Sequence, residues 1–306
     1  MIAFIIKRFF WLFVTMWAVF TVSFILMRSV PGGPFDGDRQ VAPEIKRNMD
    51  RRYNLDKELH EQYFIELKRT FVEGDLGTCM RLTDRSVNYV IAQGLPISAA
   101  LGLLALAFAM TFGLLTGVVS AARRGSVLDV GLRLVATIGI ALPSFVVASI
   151  CIMLFVFMIP LFPAAGWGSA SQLVLPAFCL GAPYAAEVAR ISRTSLLDAL
   201  SQDYIRTARA KGVSKSRVIL VHALRNSLLP VVSFLGPAVA GILTGSLVVE
   251  TVFAIPGLGI YFVKAAELRD FTLAMGVVLL YTLILYTMNF LVDLSYAYLD
   301  PRVELE

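Results

Sequence analysis

Hydrophobic positions in this chain gather into six long blocks, separated by short polar stretches and by one long one. The first block, Phe9 to Met27, is long enough at about 1.5 Å per residue to cross a hydrocarbon core about 30 Å thick. Lys7 and Arg8 precede it. It is too long for the apolar core of a signal peptide, and no small-x-small site follows, so it reads as an uncleaved first span. Blocks at 96–120, 134–159, 173–190, 229–250 and 272–296 predict five further crossings. The expected fold is an all-α integral membrane protein with six transmembrane helices.

Several blocks contain residues that ordinary helices avoid. The third carries Pro143 and Ser144, the fourth Pro176, Gly181 and Pro183, and the fifth Gly236, Pro237 and Gly241-x-x-x-Gly245; the second holds Gly113-x-x-x-Gly117. Small residues four apart let helices approach closely, and prolines are tolerated where neighbours or a cavity satisfy the freed carbonyls. Pro143, Ser144, Pro183, Pro237, Gly241 and Gly245 are therefore candidates for lining a pathway or for helix packing; packing alone accounts for most glycines of this kind.

The long polar stretch is 31–95, opened by Pro31-Gly32-Gly33-Pro34. Pro43 suits the first position of one short helix. Asp56 is expected to cap a second, in which Leu59, Tyr63, Leu67 and Phe71 form one apolar stripe that Gly74 stops. The segment reads as a small helical domain between the first two spans. Between the fifth and sixth blocks, Glu250 to Ile260 is too apolar for a plain loop and too broken for a span. It predicts a short, partly buried helix-turn element, with a type II turn at Pro256-Gly257.

Composition supports a membrane protein: 58% of residues are hydrophobic and 16% charged, with a mean hydropathy of +0.75. The net charge of +5 follows topology and does not signal nucleic acid. The stretch 121–133 holds Arg123, Arg124 and Arg133, and 190–228 holds Arg190, Arg193 and six further cations. By contrast 160–172 holds none, and 251–271 only Lys264 and Arg269. Positive-inside counting puts both termini and both basic loops in the cytoplasm.

The most basic of these stretches, Ser201 to Pro230, reads as helix, break, helix. Arg206, Arg209, Lys211, Lys215, Arg217 and Arg225 face a single acid, Asp203. Ser201 or Asp203 is expected to cap the first helix, Gly212 to end it with positive φ, Ser214 or Ser216 to cap the second, and Pro230 to close or bend it. A compact knuckle between two spans implies something that docks on it.

Other chemistry is missing from the sequence. There is no GxxxxGK[ST] loop to hold ATP, no CxxC or Cys/His metal spacing, and no nucleophile–base constellation in a span. Glu187 lies within i,i+3 reach of Arg190; this pair, Asp293, Glu250 and Arg28 are expected at span ends as interfacial pairs or snorkelling groups. That disfavours a self-sufficient secondary carrier, which keeps ionisable groups deep in its spans, and equally an intramembrane enzyme.

The Ser201–Pro230 stretch resembles the cytoplasmic coupling loop of ABC-transporter permease subunits. Of the general Glu-Ala-Ala…Gly pattern only Ala208 and Gly212 match. However, Tyr204 to Gly212 (YIRTARAKG) and His222 to Pro230 (HALRNSLLP) are the form of the oligopeptide/dipeptide/nickel branch, closest to its B-type oligopeptide permease subunits. RSVPGGPF (28–35), YNLD (53–56), GDLG (74–77), the Ile-Pro-Gly-Leu-Gly run and the ending Leu299-Asp300-Pro301-Arg302 extend the resemblance. It implies a transmembrane helix over 1–30, an external helical insertion over 31–95, and a five-helix permease core over 96–306 with its coupling loop at 190–228. The function implied is half of the translocation pathway of an ATP-driven, binding-protein-dependent peptide importer in the bacterial inner membrane. A nickel or other small-solute importer of the same branch is the alternative. Implied partners are a second homologous permease subunit, two ATPase subunits that bind ATP and Mg, an external peptide-binding protein and the lipid bilayer, with no nucleic acid. The chain itself would be no enzyme and hold no cofactor. The docking residues implied are Asp203, Tyr204, Arg206, Ala208, Arg209, Lys211 and Gly212. Ala208 and Ala210 would allow close approach to a partner groove, and Arg206 and Arg209 would make charge-assisted contacts there.

Overall fold

The computed structural model describes residues 2–30, 35, 43–82 and 85–299. Pro31-Gly32-Gly33-Pro34 and Asp300-Pro301-Arg302 lie outside them. Among the described residues every regular element is a helix: α1 (Ile2–Ser29), α2 (Pro43–Arg52), α3 (Leu59–Phe71), α4 (Val87–Ala122), α5 (Val127–Ala141), α6 (Ser144–Ile152, extended by a wider turn over Met153–Met158), α7 (Ala170–Leu200), α8 (Asp203–Ala210), α9 (Lys215–Ser227), α10 (Leu229–Val252), α11 (Leu258–Glu267) and α12 (Phe271–Leu299). Four helices are each long and apolar enough to span a membrane: α1, α4, α7 and α12. The number rises to six if the bent pairs α5/α6 and α9/α10 each count as one.

The third crossing was expected as one span over 134–159. Instead the chain breaks at Leu142-Pro143, and α5 and α6 meet at 108°. The residue before a proline is pushed out of the helical region, and Leu142 sits at φ −87°, ψ 126°. The fourth runs past its expected end near residue 190 to Leu200, with Pro176 and Pro183 inside it.

Two compact units divide the chain. The first comprises Met1–Ile97 with Gly257–Tyr286. In it the predicted stripe of α3 meets α1: Tyr63, Leu67 and Phe71 pack on Phe20 and its neighbours, with Phe20 5.6 Å from Tyr63 and 5.7 Å from Phe71 between ring centroids. Arg28 at the end of α1 pairs with Glu66 of α3 at 3.1 Å. Asp56 does not cap α3; Glu58 holds that position without a side-chain capping bond. The helix ends at Phe71, and Gly74 follows at φ +66°. A second core gathers Cys79, Val87, Val90, Ala265, Leu273 and Val277. Asp270 binds it together: one carboxylate oxygen accepts from Leu273 N–H at the start of α12, the other from Arg81 N–H, each at 3.0 Å.

The second unit comprises Ser98–Pro256 with Thr287–Glu306, and α7 is its axis. A Cβ on Gly113 would lie 2.7 Å from the Ala185 carbonyl, one on Gly117 1.9 Å from Ser192 Oγ, and one on Gly181 2.5 Å from the Ala105 carbonyl. Helices α4 and α7 therefore touch backbone to backbone, as the small-residue spacing predicts. At the far end of α10 the expected type II turn is replaced. Gly257 is extended (φ −92°, ψ −174°), and Ala254 takes the positive φ of 49°. Ile255 N–H bonds the Glu250 carbonyl at 2.8 Å, so the turn is a helix C-cap closed over the buried Ile255. Glu250 is itself fully buried, not interfacial.

Two outcomes follow. Gly117→Val should lower the thermal midpoint of the purified protein, an overpacking cost of about 1–3 kcal/mol. Gly131→Ala, whose new Cβ meets nothing within 4 Å, should raise it slightly; matching shifts would contradict the close crossing. Burial pushes the Cys79 thiol up to about 12, with Asp270 adding to the shift. Its protonated form therefore supports the fold at neutral pH, and that contribution is lost as pH rises from about 9 towards 12. Maleimide at neutral pH should leave all three buried cysteines unlabelled until the protein is denatured; labelling of the native protein would contradict their burial.

Candidate docking site at the end of α7

The knuckle forms directly on the end of α7. Ser201 closes α7, its hydroxyl bonding the Asp198 carbonyl at 2.7 Å. Gln202 occupies the N-cap of α8 without a side-chain capping bond. The expected capping by Ser201 or Asp203 does not occur. Ser201 is spent on the preceding helix, and Asp203 is the first residue of α8, where its charge favours the helix N-terminus. The other end is as expected. Gly212 has φ +77°, its N–H bonds the Arg209 carbonyl at 2.9 Å, and Val213 N–H bonds the Ala208 carbonyl at 3.2 Å. This is a Schellman closure.

Ile205 anchors the knuckle. It is 0% exposed and sits among Ala121 of α4, Leu196 and Ala199 of α7, and Val218, Ile219 and Ala223 of α9. Burying such a side chain stabilises by roughly 1.5–3 kcal/mol. Ala208 and Val213, both half-buried, pack on the same cluster. With Ile205 and Ala208 turned inward, the 3.6-residue period leaves Asp203, Tyr204, Arg206, Thr207, Arg209, Ala210 and Lys211 outward, all exposed. Arg206 lies 3.3 Å from Asp203; at this exposure such a pair contributes little and leaves the guanidinium available. Tyr204 Oη accepts from Asn226 Nδ2 at 3.2 Å, linking α8 to α9.

Ser214 occupies the N-cap of α9 as expected, although its side chain makes no capping bond. The middle of α9 widens into a π-turn over Val218–Ala223, and α10 leaves at 51°, with Pro230 as its second residue. Lys215, Arg217 and Arg225 are exposed as well. The knuckle is thus a fixed, outward, cationic surface.

The residues singled out for a pathway are spread over three places. Pro143 and Ser144 form the α5/α6 break, Pro183 lies within α7, and Pro237, Gly241 and Gly245 lie in α10. Gly241 receives the Tyr184 ring of α7, and a Cβ there would lie 2.1 Å from the Tyr184 hydroxyl. A cavity of about 630 Å³ between α4, the end of α6 and α7 is lined by Phe108, Phe112, Phe155, Phe178 and other side chains, all apolar.

Sequence reasoning missed one cluster. Asp129, at the start of α5, is 1% exposed and receives both the Nε–H and an Nη–H of Arg193 of α7, at 2.8 and 3.0 Å. It also accepts from Ser120 Oγ at 2.5 Å and Gly125 N–H at 2.9 Å. The available signal was Ser126-Val-Leu-Asp129 before an apolar run, a helix-start pattern; Ser126 Oγ does accept from Asp129 N–H. Glu187 and Arg190 pair as expected.

Residues 109–305 match the family described as binding-protein-dependent transport system inner membrane component. The dipeptide transport system permease protein DppB of Bacillus subtilis is 42% identical over 305 residues, covering 100% of this chain and 99% of that one. The oligopeptide transport system permease protein OppB of Haemophilus influenzae is 41% identical, covering 99% of each. A chain of the MetNI methionine ABC transporter, solved in inward-facing conformations, superposes with a TM-score of 0.59 at 18% identity, covering 69% of this chain and 97% of that one. The fold and the outward knuckle at the end of α7 thus coincide with full-length sequence similarity: the chain belongs to the inner-membrane permease family of binding-protein-dependent transport systems, in its DppB/OppB-type branch.

Proposed function

We propose that this chain forms half of the translocation pathway of an ATP-driven, binding-protein-dependent importer of peptides, oligopeptides foremost. The substrate class rests on the relatives' names, and the mechanism on the knuckle. Hydrolysis belongs to separate ATPase subunits, two in number. A second homologous permease completes the pathway, and an external peptide-binding protein delivers the cargo.

One observation carries the mechanism: α8 presents Arg206, Arg209 and Lys211 outward while Ile205 and the Gly212 closure fix it to α4, α7 and α9. A force-bearing element has to be rigid, exposed and continuous with what it moves. Helix α8 meets all three conditions, since only Ser201 and Gln202 separate it from α7. Its charge calls for an acidic or carbonyl-lined groove on the ATPase. Pro143, Ser144, Pro183, Pro237, Gly241 and Gly245 are proposed to shape the pathway, through helix breaks in the first two and close helix approach in the glycines. In this reading both termini and the knuckle are cytoplasmic and residues 31–95 external.

The orientation is checked by single cysteines placed at the exposed positions Asn48, Gly168 and Ser214. The first two should react with an impermeant maleimide in intact cells, and the third only after permeabilisation. Reaction at Ser214 in intact cells would reverse the topology. Docking is checked by Ala210→Trp and Arg209→Glu, which alter only the outward face. Each should leave the chain in the membrane and weaken ATPase co-purification about tenfold or more, a loss of at least roughly 1.4 kcal/mol. Normal assembly with both variants would remove α8 as the docking element.

A further inference from the structure

Asp129 and Arg193 join three segments at one buried point. Ser120 comes from the end of α4, Gly125 and Asp129 from the turn into α5, and Arg193 from α7. Both carboxylate oxygens are engaged, each by one arm of the guanidinium and one further donor. Arg133 approaches from outside at 3.6 Å, half exposed. A bidentate fork fixes direction as well as distance. A well-packed apolar pair could supply equal stability, but it would let α7 slide along α5. Sliding here would strand a buried charge, so the two helices are held in one register. On one side, Arg193 lies seven residues before the end of α7, about 10 Å of continuous helix at 1.5 Å per residue, and α8 follows. On the other side, α5 leads to the 108° break at Pro143 and into α6.

We propose that Asp129 and Arg193 are positioning residues for transport: their clasp makes α5 move with α7 as one body, so that displacement of α8 reaches the α5–α6 break. This inference rests on the docking role proposed for α8. It differs from that role in what it predicts. Loss of α8 contacts weakens ATPase binding, whereas loss of the clasp leaves binding and hydrolysis in place and separates them from transport.

The test uses the complete complex, with its ATPases and binding protein, reconstituted in liposomes. Asp129→Asn, Arg193→Leu and the milder Arg193→Lys are compared with Leu101→Ala, which opens a cavity in the buried face of α4 away from the clasp. Subunit co-purification, substrate-stimulated ATP hydrolysis and peptide taken up per ATP are measured together. For Asp129→Asn and Arg193→Leu, co-purification and hydrolysis should stay within about twofold of the unaltered complex, and peptide per ATP should fall about tenfold. Arg193→Lys should fall less. Leu101→Ala should lower thermal stability with the ratio unchanged. A Ser144→Cys probe at the start of α6 should change its reactivity with ATP in the parent complex and lose that response when combined with Asp129→Asn. An unchanged ratio in the clasp variants, a persisting ATP response at Ser144→Cys, or failure of all three clasp variants to assemble would each overturn the proposal. Should Ala210→Trp and Arg209→Glu also behave normally, the docking role fails with it; should they alone lose ATPase co-purification, only the clasp fails.

Discussion

The backbone contact between α4 and α7 is the constraint on which the larger unit depends. In lipid, apolar side chains gain little by leaving their surroundings, so helices associate through close van der Waals contact and internal polar bonds. Gly113, Gly117 and Gly181 bring the two helices together over residues 181–192 of α7. Everything placed on α7 inherits that position: α5 through Gly139 against Ala186, α10 through Gly241 against Tyr184, and the knuckle through Leu196 and Ala199.

How far the fold could be read from sequence depended on whether a signal was local. Helix ends governed by backbone angle were legible: Pro43 begins α2, and Gly212 ends α8. The apolar blocks located the long helices for the same reason. Signals that needed a tertiary partner misled. Arg193 looked like the polar end of a span, yet Asp129 pairs with it, and the helix continues to Leu200. Pro143 was compatible with a kink or a break, and the extended backbone of Leu142 before it makes a break. At Pro256-Gly257 the glycine suggested positive φ; Ile255 needed burial, so Ala254 took that conformation instead.

The knuckle shows the same division. Its position, helix–break–helix form and charge were visible in Tyr204 to Gly212. Its facing was not, because eight residues of short helix do not reveal which side a core will claim. Ile205 settles that question, and with it turns Ala208 inward while Ala210 stays out. The Asp129–Arg193 cluster escaped notice because its two members are 64 residues apart and each has a plain local reading, one as a capping acid and the other as a topology charge.

Gly117 and Gly212 illustrate two different kinds of evolutionary latitude. At Gly117 the space is filled by Ser192 and the Ala189 carbonyl, so any side chain must displace them at a cost. At Gly212 the space is open, with nothing within 4 Å of a Cβ, and only the angle φ +77° is demanded. Asparagine and aspartate tolerate that region better than other residues. Substitution at the knuckle's turn is therefore limited by backbone angle, whereas at the helix crossing behind it substitution is limited by volume. The turn keeps room to vary, and the axis that carries it does not.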